Sequence, residues 1–226
     1  KDEPIVLDTE SEVYEDRWER FELEDGPHKV AVRAIGGGQI RAYGVVLERE
    51  GPGVVWDGMA LIGSFTSRLL EQDQDHWSRQ LQHRELDLIV FMFGGNDMGS
   101  GKKKKLDKYE ATYRELVRRT RKARPEAACL IMAPIDHGER KGGRIVTKAI
   151  VAPMVEVQRR VALEEGCAFF DTFSAMGGEG AMGRWYKASP RLTSGDFSHP
   201  TRKGRRVLGG MLYRALMKGY VDWREA

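Results

Sequence analysis

The pattern of apolar and polar positions changes character near residue 53 of this 226-residue chain. Before that point, WERFELEDG, HKVAVRAIGGG and QIRAYGVVLERE alternate apolar and polar residues between Gly-rich turns. Successive side chains of a strand point to opposite faces, so this period of two predicts antiparallel strands with one wet face. Residues 1–52 therefore read as part of a small antiparallel β-module. From Gly53 onward, continuous apolar runs take turns with amphipathic stretches. GVVWDGMALIG is a short apolar segment ending in glycine, and FTSRLLEQDQDHWSRQLQHR predicts a helix. LDLIVFMFGG, AACLIMAPI and CAFFDTF read as strands covered on both faces. LDKYEATYRELVRRTRKA and TKAIVAPMVEVQRRVALEEG predict helices between them, with Pro153 either in the first turn of the second helix or kinking it. Residues 174–195 read as a long Gly-rich loop and TRKGRRVLGGMLYRALMKGYV as a closing helix. Strand–helix alternation at this spacing predicts an α/β fold, a parallel sheet with helices on both faces over residues 53–226.

Composition narrows the function classes. Hydrophobic residues make up 41% of the chain, enough for a packed core. The 37 basic and 34 acidic residues nearly cancel, leaving a net charge of +3. That balance gives no reason to expect nucleic acid or an anionic membrane as the main partner. No apolar run reaches the ~18 residues of a spanning helix, and no signal peptide is visible. Lys102–Lys105 read as a solvated loop before a helix. Cys129 and Cys167 lie in short apolar segments and are expected as buried free thiols, with a disulfide as the alternative.

In a parallel sheet of this kind, functional residues follow the C-terminal ends of strands. Three patterns do so. Asp196-Phe197-Ser198-His199-Pro200-Thr201 precedes the last helix. An Asp three residues before a His can bind the imidazole Nδ1–H, which fixes the tautomer and frees Nε2 as a general base. The plainer reading is a surface turn with Thr201 capping a helix. Gly94-Gly95-Asn96-Asp97 follows the LDLIVFMF run. There the glycines allow close backbone approach and the Asn96 amide can donate to a developing oxyanion. Its plainer reading is a turn. Gly63, closing GVVWDGMALIG, offers a backbone N–H as a second donor; alone it is a turn glycine.

In this order and spacing, Gly63, Gly94-Gly95-Asn96-Asp97 and Asp196-Phe197-Ser198-His199-Pro200-Thr201 resemble the SGNH (GDSL-like) hydrolases over about residues 53–220. The resemblance implies a flavodoxin-like sheet, His199 as base, Asp196 as its orienter, and Gly63 with Asn96 as the oxyanion hole. It implies an acyl-serine mechanism with no cofactor and no metal. Ser174-Ala175-Met176-Gly177-Gly178 through Trp185 resembles a loop of carbohydrate O-acetylesterases, including those acting on peptidoglycan. Some of these carry a jelly-roll-like β-module between the first two motif blocks, which residues 1–52 resemble. Trp185 is then either a stacking face for sugar or core. An acylated carbohydrate is the implied substrate, and an exported location follows from it.

The family's first block, Gly-Asp-Ser on the central strand, is missing before Gly63. Ser64 follows Gly63, but using it as nucleophile would leave an oxyanion donor unassigned. The expectation is that an N-terminal fragment of the same gene product supplies the strand and the serine, and that the chain does not fold alone, because unpaired groups in a buried sheet cost roughly 1–3 kcal/mol each. Two alternatives stand: a lipase, acyl-thioesterase or lysophospholipase of the same family, and a carbohydrate-binding protein without a nucleophile. His28, His76, His83 and His137 lack metal-ligand spacing. His137, after the AACLIMAPI strand, is either a pocket residue or a loop histidine without a role.

Overall fold

The computed structural model describes residues 4–99 and 106–226. The chain divides into two compact units, residues 1–60 and 61–226. The first contains no helix and no ladder-paired strand among its described residues. The antiparallel strands expected there do not form, and apolar side chains such as Tyr14, Val32 and Ile35 stay exposed. Alternation specifies which face a strand would bury, but a ladder needs a partner, and none of the described residues provides one. The two units meet at residue 60. The segment GVVWDGMALIG forms no strand, and Ile62 is 100% exposed.

The second unit holds the α/β core. Strands β1 (Leu88–Phe91), β2 (Ala128–Met132) and β5 (Ala168–Phe170) form a parallel sheet in the order β1-β2-β5. Alternate residues of each strand serve opposite faces. Ile89, Phe91, Cys129, Ile131 and Phe169 meet helices α1 (Thr66–Leu70), α3 (Leu106–Ala123) and α4 (Val151–Glu164) through Leu69, Tyr113, Leu116, Val117, Met154 and Val161. Val90, Leu130, Met132 and Phe170 meet Leu212 of α7 (Arg202–Glu225) on the other face. The expected two-sided parallel sheet is present.

Several local expectations need correction. The helix read over residues 65–84 is broken: α1 ends at Leu70 and α2 runs Gln74–His83. Asp73 causes the break, because its carboxylate accepts the His76 N–H at 2.8 Å and starts a new helix. The loop read over 174–195 contains α6 (Ala181–Lys187), after the short α5 (Thr172–Ala175). Pro153 occupies the first turn of α4, where its missing N–H costs nothing. Cys129 and Cys167 are not free thiols but a disulfide. The register that pairs Leu130 with Ala168 brings the two cysteines alongside each other. Lys102–Lys105 lie outside the described residues.

Two surfaces of this unit lack cover among the described residues. β1 pairs only with β2, so its other edge is open. The second half of α7 exposes Tyr213, Leu216, Met217, Tyr220, Val221 and Trp223, the last at 73%.

Candidate active site

The turn before α7 is built around one carboxylate. Asp196 Oδ1 accepts the Ser194 hydroxyl (2.6 Å) and the N–H groups of Ser198 (2.9 Å) and His199 (3.0 Å). Its Oδ2 lies 2.6 Å from His199 Nδ1. Burial alone would raise this carboxyl, but the hydrogen bonds from Ser194, Ser198 and His199 outweigh it and hold Asp196 well below the usual carboxylate range. An ionised Asp196 fixes the proton on Nδ1 and turns Nε2 outward. The His199 side chain is 78% exposed, so Nε2 is free to meet a reactant. Thr201 caps α7 by accepting the Gly204 N–H at 3.2 Å, so the capping reading and the Asp–His reading hold together in one turn.

Between Asp196 and His199 the backbone turns left-handed at Phe197 (φ 57°). A side chain in that region costs roughly 1–2 kcal/mol. Packing offsets it: the Phe197 ring is buried, edge-on to Tyr186 at 5.0 Å, with the Arg140 guanidinium 5.1 Å from its centroid. Trp185 belongs to the same cluster with Met176, Met182 and Leu208. At 7% exposure it is core, which removes it as a sugar-stacking face.

The loop after β1 is held as firmly. Gly94 has φ 120°, and a Cβ there would lie 2.7 Å from Gln158 Nε2 and 2.9 Å from Tyr109 Oη. Gln158 itself donates to the Phe93 carbonyl and to Tyr109 Oη, each at 2.7 Å. Only glycine fits. Asn96, exposed at the head of a 3-10 turn (Asn96–Met98), donates through Nδ2 to the Ser64 carbonyl at 3.0 Å. Its neighbour Asp97 is buried and accepts the Thr66 N–H (3.0 Å) and hydroxyl (2.8 Å) at the start of α1. The Gly94–Asp97 loop is thus stitched to the Gly63–Thr66 loop. Gly63 sits there in a turn (φ 71°), not at the end of a strand. Ser64 is buried, and its hydroxyl donates to the Phe65 carbonyl at 3.3 Å.

His137 joins the two halves. Its Nε2 lies 3.3 Å from where a Gly95 side chain would begin. The next residue, Gly138, donates its N–H to the Phe197 carbonyl at 2.8 Å. Burial pushes His137 down to about 4, and the charges of Lys148 and His199 push the same way. Sequence reasoning left this residue open. It missed Asp136, fully buried beside it, which accepts the Met182 N–H at 2.7 Å and anchors α6. Its only sequence signal was a lone acid in an apolar strand end.

The solved structures similar to this chain include a peptidoglycan O-acetylesterase, 23% identical with a TM-score of 0.62. That match covers 69% of this chain but 44% of the other, so the chain spans less than half of that protein's length. An acetyl xylan esterase, AlAXEase, matches at 18% identity with a TM-score of 0.51, covering 68% of this chain and 76% of the other. At such identities the likeness is one of fold. No curated protein matches the chain. The model of the GDSL-like lipase/acylhydrolase family matches residues 24–207, including Gly63, Asn96, Asp196 and His199; by that match, which takes in most of the sequence, the chain belongs to the GDSL-like lipase/acylhydrolase family.

Proposed function

We propose that this protein is part of a serine ester hydrolase that removes acetyl or other short acyl groups from a carbohydrate. The observation that carries the reading is the 2.6 Å contact between His199 Nδ1 and Asp196 Oδ2, with Nε2 left exposed. In this reading His199 Nε2 takes the proton of a serine hydroxyl as its oxygen attacks the ester carbonyl. The carbonyl oxygen becomes an oxyanion, met by the Gly63 N–H and by an Asn96 Nδ2–H. An amide has two N–H hydrogens, and the Ser64 carbonyl takes only one. His199 then gives its proton to the departing sugar hydroxyl. A water, deprotonated by His199, cleaves the acyl-serine and regenerates both groups.

The serine comes from a Gly-Asp-Ser segment outside residues 1–226, supplied by the same gene product. The open edge of β1 supports this, since a strand laid beside it would pair its free backbone groups. Exposed Trp223, Tyr220 and Leu216 are poor surface in a finished protein. The peptidoglycan O-acetylesterase and acetyl xylan esterase among the similar structures support acetyl on carbohydrate. Export follows from such a substrate, and the Cys129–Cys167 disulfide supports an oxidising compartment.

The test is acetate release from 4-nitrophenyl acetate and from acetylated glycans by the full gene product. Turnover lost in His199→Gln, with the fold intact by circular dichroism, is the expected result. Equal turnover in that variant would overturn the reading.

A further inference from the structure

The chain as a whole is nearly neutral, yet its cations are not spread evenly around the proposed site. After His137, strands β3 (Gly138–Lys141) and β4 (Arg144–Thr147) form an antiparallel hairpin. From Gly138 to Lys148 it carries Arg140, Lys141, Arg144 and Lys148 against the single acid Glu139. The turn is two glycines, Gly142 (φ 56°) and Gly143 (φ 75°), the left-handed pair that a tight two-residue hairpin requires. That turn sets Lys141 directly opposite Arg144. Like charges facing each other across a ladder repel. Neither has a carboxylate partner among the described residues, and both are exposed.

The hairpin is also fastened to the catalytic turn. The Gly138 N–H holds the Phe197 carbonyl, and Arg140 lies over the Phe197 ring. Phe197 sits between Asp196 and His199. Ile145, opposite Arg140, packs on Gly183 of α6, so the hairpin's inner face is fixed and its tip projects into solvent. Lys141 and Arg144 stand on the other, solvent-facing side of this hairpin, at the end of an element whose inner face holds the turn between Asp196 and His199.

Resting on the esterase reading for its location, we propose that the β3–β4 hairpin is an anion subsite, with Lys141 and Arg144 at its tip gripping carboxylates of an acidic, acylated glycan. The two side chains rise from backbones about 5 Å apart, which suits one carboxylate held between them or two on adjacent sugars. Arg140 lies on the opposite face of the strand, over the Phe197 ring.

The test is binding, so that it stands or falls apart from hydrolysis. The full gene product is titrated calorimetrically with an oligogalacturonide, with a neutral xylo-oligosaccharide of the same length, and with a single-stranded oligonucleotide. The expected result is binding of the acidic sugar over the neutral one, weakening as salt rises. Lys141→Gln/Arg144→Gln should lose affinity about tenfold or more, and Lys141→Arg/Arg144→Lys should restore it. Thermal melts separate loss of binding from loss of fold. Equal binding of acidic and neutral sugars, no effect of the Gln pair in a folded protein, or tighter binding of the oligonucleotide would each overturn it. Absence of 4-nitrophenyl acetate hydrolysis would instead count against the esterase reading alone.

Discussion

The side-chain amide of Asn96 lies 3.0 Å from the backbone oxygen of Ser64, and that bond ties together the two loops carrying the proposed oxyanion donors. In the proposed mechanism Asn96 has two tasks: one N–H holds the Ser64 carbonyl beside Gly63 and the other meets substrate. Asn96→Ala should lower kcat by about 10²–10³-fold and cost about 1 kcal/mol of stability. Asn96→Asp should be at least as inactive, because a carboxylate repels both the Ser64 carbonyl and the oxyanion. Steady-state acetate release by the full gene product checks both.

Asp196 should act on both activity and stability. Asp196→Asn leaves the shape of the turn but admits the wrong imidazole tautomer, and kcat should drop by roughly 10⁴-fold, the size of the same change in a chymotrypsin-type triad. Its carboxyl is held below its ordinary value in the fold. The ionised form is therefore the stabilised one, and its contribution is complete above the usual carboxylate range and lost as pH falls through the depressed value. Urea melts should show the wild-type advantage over Asp196→Asn level at neutral pH and shrinking only in strong acid.

His137 should give the opposite end of the acid range a slope. Folded, it releases its proton at about 4, against 6.5 for the ordinary side chain. As pH falls, the unfolded chain takes up the proton first, so stability is full above about 6.5, declines between 6.5 and 4, and levels below. The loss is at most about 3 kcal/mol. His137→Gln should flatten that stretch of the stability–pH curve.

Gly94→Ala should be severe for a change of one methyl. It meets a left-handed backbone and the buried Gln158–Tyr109 pair together. A loss of roughly 3 kcal/mol is expected, at the upper end for overpacking, read as a fall in the urea midpoint.

What was legible in the sequence depended on local pattern. The three parallel strands, α3 over residues 106–123 and the hydrogen-bonded Asp196–His199 pair each rest on a few adjacent residues, and each stands in the structure, though only β2 is mostly buried. Features set by distant partners were not readable. The Cys129–Cys167 disulfide depends on the β2–β5 register, and Trp185 became core only once α6 folded back on Phe197. The alternation before residue 53 was real in the sequence, yet a strand is defined by its neighbour. The Lys141–Arg144 opposition appeared only when the Gly142-Gly143 turn closed the hairpin.

The central claim is that Asp196 and His199 serve a serine lying outside residues 1–226. The most direct measurement is a denaturing intact-mass spectrum, with peptide mapping, of the full gene product after treatment with a fluorophosphonate. The account predicts a single adduct on the serine of a Gly-Asp-Ser segment, none on Ser64, and none anywhere in His199→Gln. An adduct on a serine within residues 1–226, or labelling that survives the loss of His199, would contradict it.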